Sequence, residues 1–292
     1  MKLCTFSYQN IDNVGIITDN RIVSVEEVNV RAGTKIPDTF RELIAADCLD
    51  ELRAAEQETT AGIPLAEVRL KLPYPDPPKI WCIGLNYRSH ADDIDAVQPE
   101  EPGSFMKPSS SLFDPGGIIE LPPKRLTSDV DAEGELGLVF GKKCREVPVE
   151  EISEVLFGYT TTLDMTALDV LARNPRYLQR SKSFDTFFSF GPVIATVDEI
   201  DDVTKLEVVT RLNGDNWSRD FVYNMRHRPF FLASLHSDVM TFEPGDLLST
   251  GCPRGARIKA GDRVEAYIEG VGRLTATVGV RKKEPWSHFA KR

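Results

Sequence analysis

The stretch DAEGELGLVFGK (131–142) decides how this chain is read. Side chains on a β-strand alternate between its two faces, so Glu133 and Glu135 share one face. The other face carries Gly134, Leu136, Leu138 and Phe140, an apolar series that belongs against a core. On the glutamate face the pair is followed by Gly137 and Val139, so that face also turns apolar and is expected to be covered. An isolated Glu-x-Glu commonly marks a solvated strand face; the apolar continuation argues against that here. Two carboxylates about 7 Å apart along a covered strand repel each other and need a counter-charge. Oxygen donors of this kind suit Mg²⁺, Mn²⁺ or Ca²⁺.

Strand signals continue on both sides. KIWCIG (79–84) is a short apolar run, and FGYTTTLD (157–164) is rich in threonine and aromatics. KLEVVTRL (205–212) runs into the turn pair Asn213-Gly214, and residues 263–281 read as two alternating strands around Gly270 and Gly272. The predicted helices are short. One starts at Pro148 and uses Val149, Ile152, Val155 and Leu156; another follows Pro229 with Phe231, Leu232, Leu235 and Val239. A strand-then-long-helix rhythm is missing, which argues against a doubly wound sheet. The expected class is mainly β with short helices (α+β). Upstream, residues 12–28 read as a hairpin around Asp19-Asn20, with Val14, Ile16, Ile22 and Val25 flanking it. Residues 39–53 read as one helix with a Thr39/Glu42 capping box. Between these and the strand-rich part lie Pro64, Pro73, Pro75, Pro77 and Pro78. A boundary near residue 75 is therefore expected, with a small N-terminal α+β domain over 1–74 and a larger domain over 75–292.

The 292 residues include 45 acidic and 35 basic side chains, a formal net charge of -10. Such a surface repels phosphate backbones and argues against nucleic acid. It also means that an anionic substrate needs a local positive site. The N-terminal MKLCTFSYQN has no apolar stretch of leader length, and no run approaches the roughly 18–20 apolar residues of a membrane span. Cys4, Cys48, Cys82, Cys144 and Cys252 are scattered without C-x-x-C, as expected for free thiols in a reducing cytoplasm. There is no Walker A loop, no G-x-G-x-x-G, no G-x-S-x-G and no H-E-x-x-H, so nucleotide cofactors and serine-hydrolase chemistry have no support.

Several further residues have two readings. Asp164, at the step from FGYTTTL into MTALDVLARN, is either a third ligand or the N-cap of a helix. Lys182 lies near Phe184, Phe187 and Phe188; it either stabilises an oxyanion or snorkels from an aromatic cluster. His90 is followed within one helical turn by Asp92 and Asp93, a pairing that can act as a general base. His236 reads as a core-edge residue, His227 belongs to a basic patch, and His288 lies near the C-terminus. Residues 91–103, ADDIDAVQPEEPG, are either a solvated connector or a lid.

The order of the blocks adds more than any one of them. GLNYRSHADD (84–93), SFMKP (104–108), DAEGELGLVFGK (131–142), GYTTTLDMTALD (158–169), KSFDTFFSFGP (182–192), RLNGD (211–215), PGDLLSTGCPRG (244–255) and GDRVEAYIEGVGRL (261–274) occur in series. This series resembles the fumarylacetoacetate hydrolase family over roughly residues 74–280. The resemblance implies a mixed β-sandwich roll, a homodimer, and Mg²⁺ or Mn²⁺ on Glu133, Glu135 and Asp164. It implies that Lys182 contacts a substrate oxygen, that His90 with Asp92 or Asp93 forms a proton-transfer dyad on a lid, and that Arg88, Lys107 and Thr250 line the site.

The implied activity is C–C bond hydrolysis of a small 2-oxo acid, an acylpyruvate or β-diketo acid. Such an acid chelates one cation through its carboxylate and adjacent carbonyl, and the cation polarises that carbonyl. Bond cleavage leaves a metal-bound, pyruvate-like enolate, whose charge the cation and Lys182 would stabilise. The cation is also the positive site that an acidic protein needs. Two alternatives follow from the same resemblance. One is a decarboxylase or isomerase of a 2-oxo or 2-hydroxymuconate-type diacid, oxaloacetate among them. The other is a catalytically silent, metal-binding homologue. The chain departs from the family pattern at three places. Asp92 and Asp93 stand where His-x-x-Glu is common, Leu168 where many members have arginine, and Cys252 where threonine is usual. Arg173, Arg176 and Arg180 are the nearby candidates to replace the lost arginine.

Overall fold

Alternating apolar residues at the N-terminus build β1 (Lys2–Tyr8), β2 (Ile11–Thr18) and β3 (Arg21–Ser24) in the computed structural model, which describes residues 1–56, 62–93 and 95–281. The turn falls at Asp19-Asn20 as expected, with Asp19 at φ 54°. Val25 is not part of the hairpin; it opens α1 (Val25–Ala32), whose cap is Ser24, accepting from the Glu27 N–H at 3.1 Å. The single helix expected over 39–53 is two, α2 (Phe40–Ala45) and α3 (Leu49–Glu56), because Asp47 takes a left-handed φ of 50° that a helix cannot continue through. The Thr39 hydroxyl donates to the Glu42 carboxylate at 2.6 Å instead of capping a backbone N–H, so the expected capping box is replaced by a side-chain pair. His288 lies outside the described residues.

Two short strands, β4 (Ile63–Pro64) and β5 (Arg69–Leu70), lead into the proline-rich stretch. Then come β6 (Ile80–Gly84), α4 (Arg88–Asp93), β7 (Gly103–Met106), β8 (Ile118–Leu121), β9 (Val130–Phe140), α5 (Ile152–Val155) and β10 (Leu156–Ala167). The chain continues through α6 (Leu168–Arg173), α7 (Leu178–Lys182), β11 (Phe188–Thr196), β12 (Glu207–Leu212), β13 (Asp215–Phe221) and α8 (Pro229–Val239). It closes with β14 (Leu247–Ser249), β15 (Ala256–Arg257), β16 (Arg263–Ile268) and β17 (Gly272–Val280). The helix expected from Pro148 is only a 3-10 turn and the four residues of α5, and Leu156 already belongs to β10.

The strands form two mixed sheets. The larger runs β4-β3-β2-β1-β11-β10-β9-β14-β6-β7, with β5 on β1 and β15 on β9; the smaller runs β13-β12-β16-β17-β8. Strands outweigh short helices, so the α+β class read from the sequence is the class observed. The larger sheet crosses the boundary expected near residue 75, because β1 pairs with β11. Leu3, Val14, Phe40 and Leu43 also share one apolar cluster with Ile80, Val139, Phe188 and Leu247. Segments 1–74 and 75–292 thus have a common sheet and a common core.

The two sheets pack through β9 and β10. Leu163, Met165 and Ala132 meet Val264, Ala266 and Leu274, while Leu136 and Leu138 meet Val208 and Ile268. Each such leucine, isoleucine, valine or methionine side chain contributes roughly 1.5–3 kcal/mol on full burial. Gly134 makes the approach possible. A Cβ there would lie 2.6 Å from Thr210 Oγ1 and 3.0 Å from the Ala266 Cβ. The backbone between the two glutamates is therefore pressed against the smaller sheet, which fixes the direction in which the glutamates project.

His236 on α8 is buried, as its apolar neighbours indicated; its ring lies edge-on to Trp81, with Nδ1 2.7 Å from the Leu232 carbonyl. Burial lowers its pKa from the ordinary 6.5. The unfolded chain therefore takes up the proton first, so the stability His236 contributes is full above about pH 6.5 and is lost as pH falls through the lower folded value. We expect the drop in melting temperature between pH 7 and pH 5 to be smaller in His236→Phe than in the parent. An equal drop in both would show that His236 does not carry this effect.

Candidate active site

The register of β9 against β10 sets Glu133 opposite Asp164 and Glu135 opposite Thr162. Residues directly opposite in an antiparallel pair project to the same side, with Cβ atoms about 4.5–5.5 Å apart. Glu133 and Asp164 are therefore side by side, and Glu135 is two residues along on the same face. One oxygen from each lies within 4.8 Å of the others, and all three side chains are buried. Asp164 is not at a strand end as the sequence indicated: β10 continues three residues further, to Ala167, before α6 begins. The N-cap reading of Asp164 is thereby corrected.

Two buried lysines face this triangle. Lys182 Nζ, at the end of α7, is 2.8 Å from Glu133 Oε2 and 2.8 Å from Asp164 Oδ2. Lys107 Nζ, just after β7, is 2.5 Å from Asp164 Oδ1. The aromatic surroundings differ from those read in the sequence. Lys182 sits over Phe105, 4.7 Å from the ring centroid, while Phe187 and Phe188 flank Lys107. Lys107 also donates to the carbonyls of Met165, Lys182 and Phe187 at 3.0, 2.6 and 2.8 Å. Its ammonium group is fully engaged behind Asp164.

The charges do not balance: three carboxylates meet two ammonium groups. Among the described residues Glu135 has no ion-pair partner, although Ser249 Oγ and the Gly251 N–H donate to it at 2.5 and 3.0 Å. Burial, together with the neighbouring Asp164 and Glu133, pushes its carboxyl up to about 8. Burial acts upward on Glu133 as well, but the Lys182 ammonium, with hydrogen bonds from Lys182 and Thr166, holds that carboxyl below its usual value. Lys182 keeps its proton far above the ordinary range, because Asp164, Glu133 and Glu135 overcome its desolvation. The missing positive charge falls at Glu135, among oxygen donors, which fits a divalent cation such as Mg²⁺ or Mn²⁺.

Glu133, Glu135 and Lys182 line a cavity of about 310 Å³ together with His90, Thr166 and Cys252. His90, on α4, is 8% exposed, and its Nδ1 has no hydrogen-bond partner. Burial is the main reason its pKa is lowered, so the ring is neutral at pH 7. The other expected residues stand elsewhere. Asp93 pairs with Arg254 at 2.7 Å rather than with His90. The Arg88 side chain is 86% exposed and 3.7 Å from Asp92. The Thr250 hydroxyl donates to the Leu136 carbonyl at 2.9 Å. None of Asp93, Arg88, Lys107 and Thr250 is on the cavity wall: Asp93, Lys107 and Thr250 are held by other protein partners, and Arg88 extends into solvent. Arg173, Arg176 and Arg180 are exposed and also off the wall. Within 91–103, Pro99 and Gly103 do line the cavity.

Sequence reading missed Thr166, whose hydroxyl donates to Glu133 Oε1 at 2.5 Å. Its signal was available, since it lies two residues beyond Asp164 on the same strand and hence on the same face. Ser249 and Gly251 had no such signal. Gly251 has φ 93°, open to glycine, and this turns its N–H toward Glu135.

Residues 79–279 match the family described as Fumarylacetoacetate (FAA) hydrolase C-terminal. This chain belongs to the fumarylacetoacetate hydrolase family. Within that family, the oxaloacetate tautomerase YisK of Bacillus subtilis is 31% identical over 307 residues, covering 96% of this chain and 100% of that protein. The solved structure of maleylpyruvate hydrolase from Sphingobium sp. SYK-6, in complex with manganese (II) ion and pyruvate, is 29% identical with a TM-score of 0.80, covering 97% of this chain and 100% of that one. That of 5-carboxymethyl-2-hydroxymuconate delta-isomerase from Mycobacterium smegmatis is 29% identical with a TM-score of 0.76, with the same coverages of 97% and 100%. Such relatives in the fumarylacetoacetate hydrolase family support an enzyme, and the manganese-bound one supports a divalent cation. No helix of the described residues is long and apolar enough to cross a membrane.

Proposed function

We propose that this protein is a divalent-metal-dependent hydrolase that cleaves a C–C bond in a small acylpyruvate, a 2-oxo acid. The observation that carries the reading is His90: a buried, neutral imidazole with an unpartnered nitrogen, on the wall that Glu133, Glu135 and Lys182 share. Glu133, Glu135 and Asp164 would hold Mg²⁺ or Mn²⁺, which would supply Lewis-acid polarisation of the carbonyl of a 2-oxo acid. His90 accepts a proton from water as the water oxygen attacks the acyl carbonyl. The C–C bond then breaks, its electron pair stays on the pyruvate fragment, and the ammonium of Lys182 stabilises that charge. Return of the proton from His90 to carbon gives pyruvate and a carboxylic acid. Thr166, Ser249 and the Gly251 N–H keep the carboxylates oriented. The five free cysteines accord with a reducing, cytoplasmic setting.

A second reading is an isomerase, tautomerase or decarboxylase that forms the same enolate without attacking water. The pairing of Asp93 with Arg254 favours it, because His90 then lacks the carboxylate that would strengthen it as a base. The tautomerase relative points the same way. Incubation of acetylpyruvate and of oxaloacetate with Mg²⁺ or Mn²⁺, beside an EDTA control, separates the readings by product. Acetate with pyruvate supports the hydrolase, and CO₂ or keto–enol exchange alone supports the second reading. His90→Ala is expected to lower acetylpyruvate cleavage about 10²–10⁴-fold; undiminished cleavage would remove His90 from the water-activating role.

A further inference from the structure

We infer that the part of the substrate beyond the acyl carbonyl is a short, uncharged apolar group, and that Leu168, Leu171 and Leu178 select for it. This rests on the acylpyruvate reading of the same cavity. The polar groups on the wall offer no free cation to a second carboxylate: Glu133 and Glu135 are themselves acidic, and His90, whose Nδ1 is open, serves the attacking water in the proposed reading. Lys182 is bound to Glu133 and Asp164, and the Thr166 hydroxyl to Glu133. Beyond these polar groups the wall is formed by Ile83, Leu85, Phe105, Leu168, Leu171, Leu178 and Cys252, with prolines and glycines between them. Among the described residues no arginine, and no lysine besides Lys182, lines it. A second carboxylate placed against these side chains would give up its hydration with no partner in return. A hydrocarbon group placed there gains by leaving water.

Two guanidinium groups lie across a wall from the cavity. A neighbouring hollow is lined by Arg254 and Arg257 with Asp93, Asp131 and Trp217, and Leu168 faces both it and the cavity. Neither arginine is free to receive an anion. Arg254 pairs with Asp93 at 2.7 Å and lies over Trp217, 5.4 Å from the ring centroid. Arg257 pairs with Asp131 at 2.6 Å and also contacts Asp129. Leu168 and Leu171 are one helical turn apart on α6, so they present one face; Leu178 opens α7. The cavity volume of about 310 Å³ sits at the lower end of the roughly 300–1,000 Å³ of ligand sites, which limits the apolar group to a few carbons. The inference sets this chain apart from oxaloacetate, a diacid.

The test has two arms on the full-length, Mg²⁺-loaded protein. In the first, acetylpyruvate, butanoylpyruvate and fumarylpyruvate are compared as substrates. kcat/KM is expected to rise about fourfold per added methylene and to be at least about tenfold lower for the diacid, the lower bound for one mismatched group in an apolar pocket. In the second, calorimetry compares binding of 2-oxopentanoate and 2-oxohexanoate with 2-oxoglutarate and 2-oxoadipate, which needs no turnover. Tighter binding of the monoacids with no cleavage of any acylpyruvate would sustain the apolar wall and remove the hydrolase reading. Equal or tighter binding of the dioic acids would overturn the inference whatever the turnover shows. Leu168→Arg, at a half-buried position, places a cation on the wall and is expected to narrow or reverse the monoacid preference. An unchanged preference in a folded variant would deny Leu168 its selecting role.

Discussion

Lys182→Met is expected to cost the metal-free protein about 3–5 kcal/mol, the usual penalty for breaking a buried ion pair, and to lower kcat roughly 10²–10³-fold, as loss of one oxyanion-stabilising donor does. Methionine keeps the length and apolar stem of the side chain and removes only the charge. In the native site that charge lies 2.8 Å from both Glu133 and Asp164, two carboxylates that face each other across a strand pair. Without it they repel at close range with their side chains buried. Lys107 cannot take over, because its ammonium is spent on Asp164 Oδ1 and three carbonyls. Thermal melts in EDTA should show the loss, at about 2–4 °C per kcal/mol for a chain of a few hundred residues. Mn²⁺ should restore more of the melting temperature in the variant than it adds to the parent, since a bound cation replaces the missing charge. Full kcat in the metal-saturated variant would reduce Lys182 to a structural counter-ion.

Glu135→Gln is expected to move stability and activity in opposite directions. In the metal-free protein Glu135 is the carboxylate without a cation, and its carboxyl is pushed up to about 8 by burial beside Asp164 and Glu133. The folded state therefore holds a proton that the unfolded chain releases near pH 4.3. Between that value and about pH 8 each step up in pH costs the folded state stability. Glutamine has the same shape, can still accept from Ser249 Oγ and the Gly251 N–H, and carries no charge. In EDTA the variant should melt higher than the parent at pH 8, and the gap should close toward pH 5. With Mg²⁺ or Mn²⁺ the order reverses, because the parent gains a ligand-bound cation and the variant has lost one donor. Its metal-dependent turnover should fall by more than the roughly 10–100-fold that loss of a supporting residue costs a metal site. A parent and variant with the same EDTA melting curve at pH 8 would show that Glu135 is not strained, and retained metal-dependent turnover would remove it from the candidate ligand set.

Strand alternation is a local property, and whatever depended on it was legible. Glu133 and Glu135 share a covered face because they are two residues apart in an apolar run, and the whole of β9 is indeed buried. Short predicted helices between many strands gave the α+β class for the same reason. Propensity misled where a single backbone angle intervened: Asp47 splits the helix expected over 39–53.

The site itself needed the tertiary structure. That Asp164 stands beside Glu133 is a matter of register, and register is decided by the packing of two sheets through Gly134, not by either strand's sequence. Lys107 and Lys182 look alike as buried lysines in the chain. Only the fold distinguishes the one that lines the cavity from the one anchored behind Asp164. Asp93 looked like the partner of His90 because it lies three residues on; an arginine 161 residues later, Arg254, takes it instead. The apolar wall made by Leu168, Leu171 and Leu178 was invisible for a related reason. A leucine at helical spacing reads as core whether it meets other side chains or an open cavity, and only the positions of the neighbouring elements determine which.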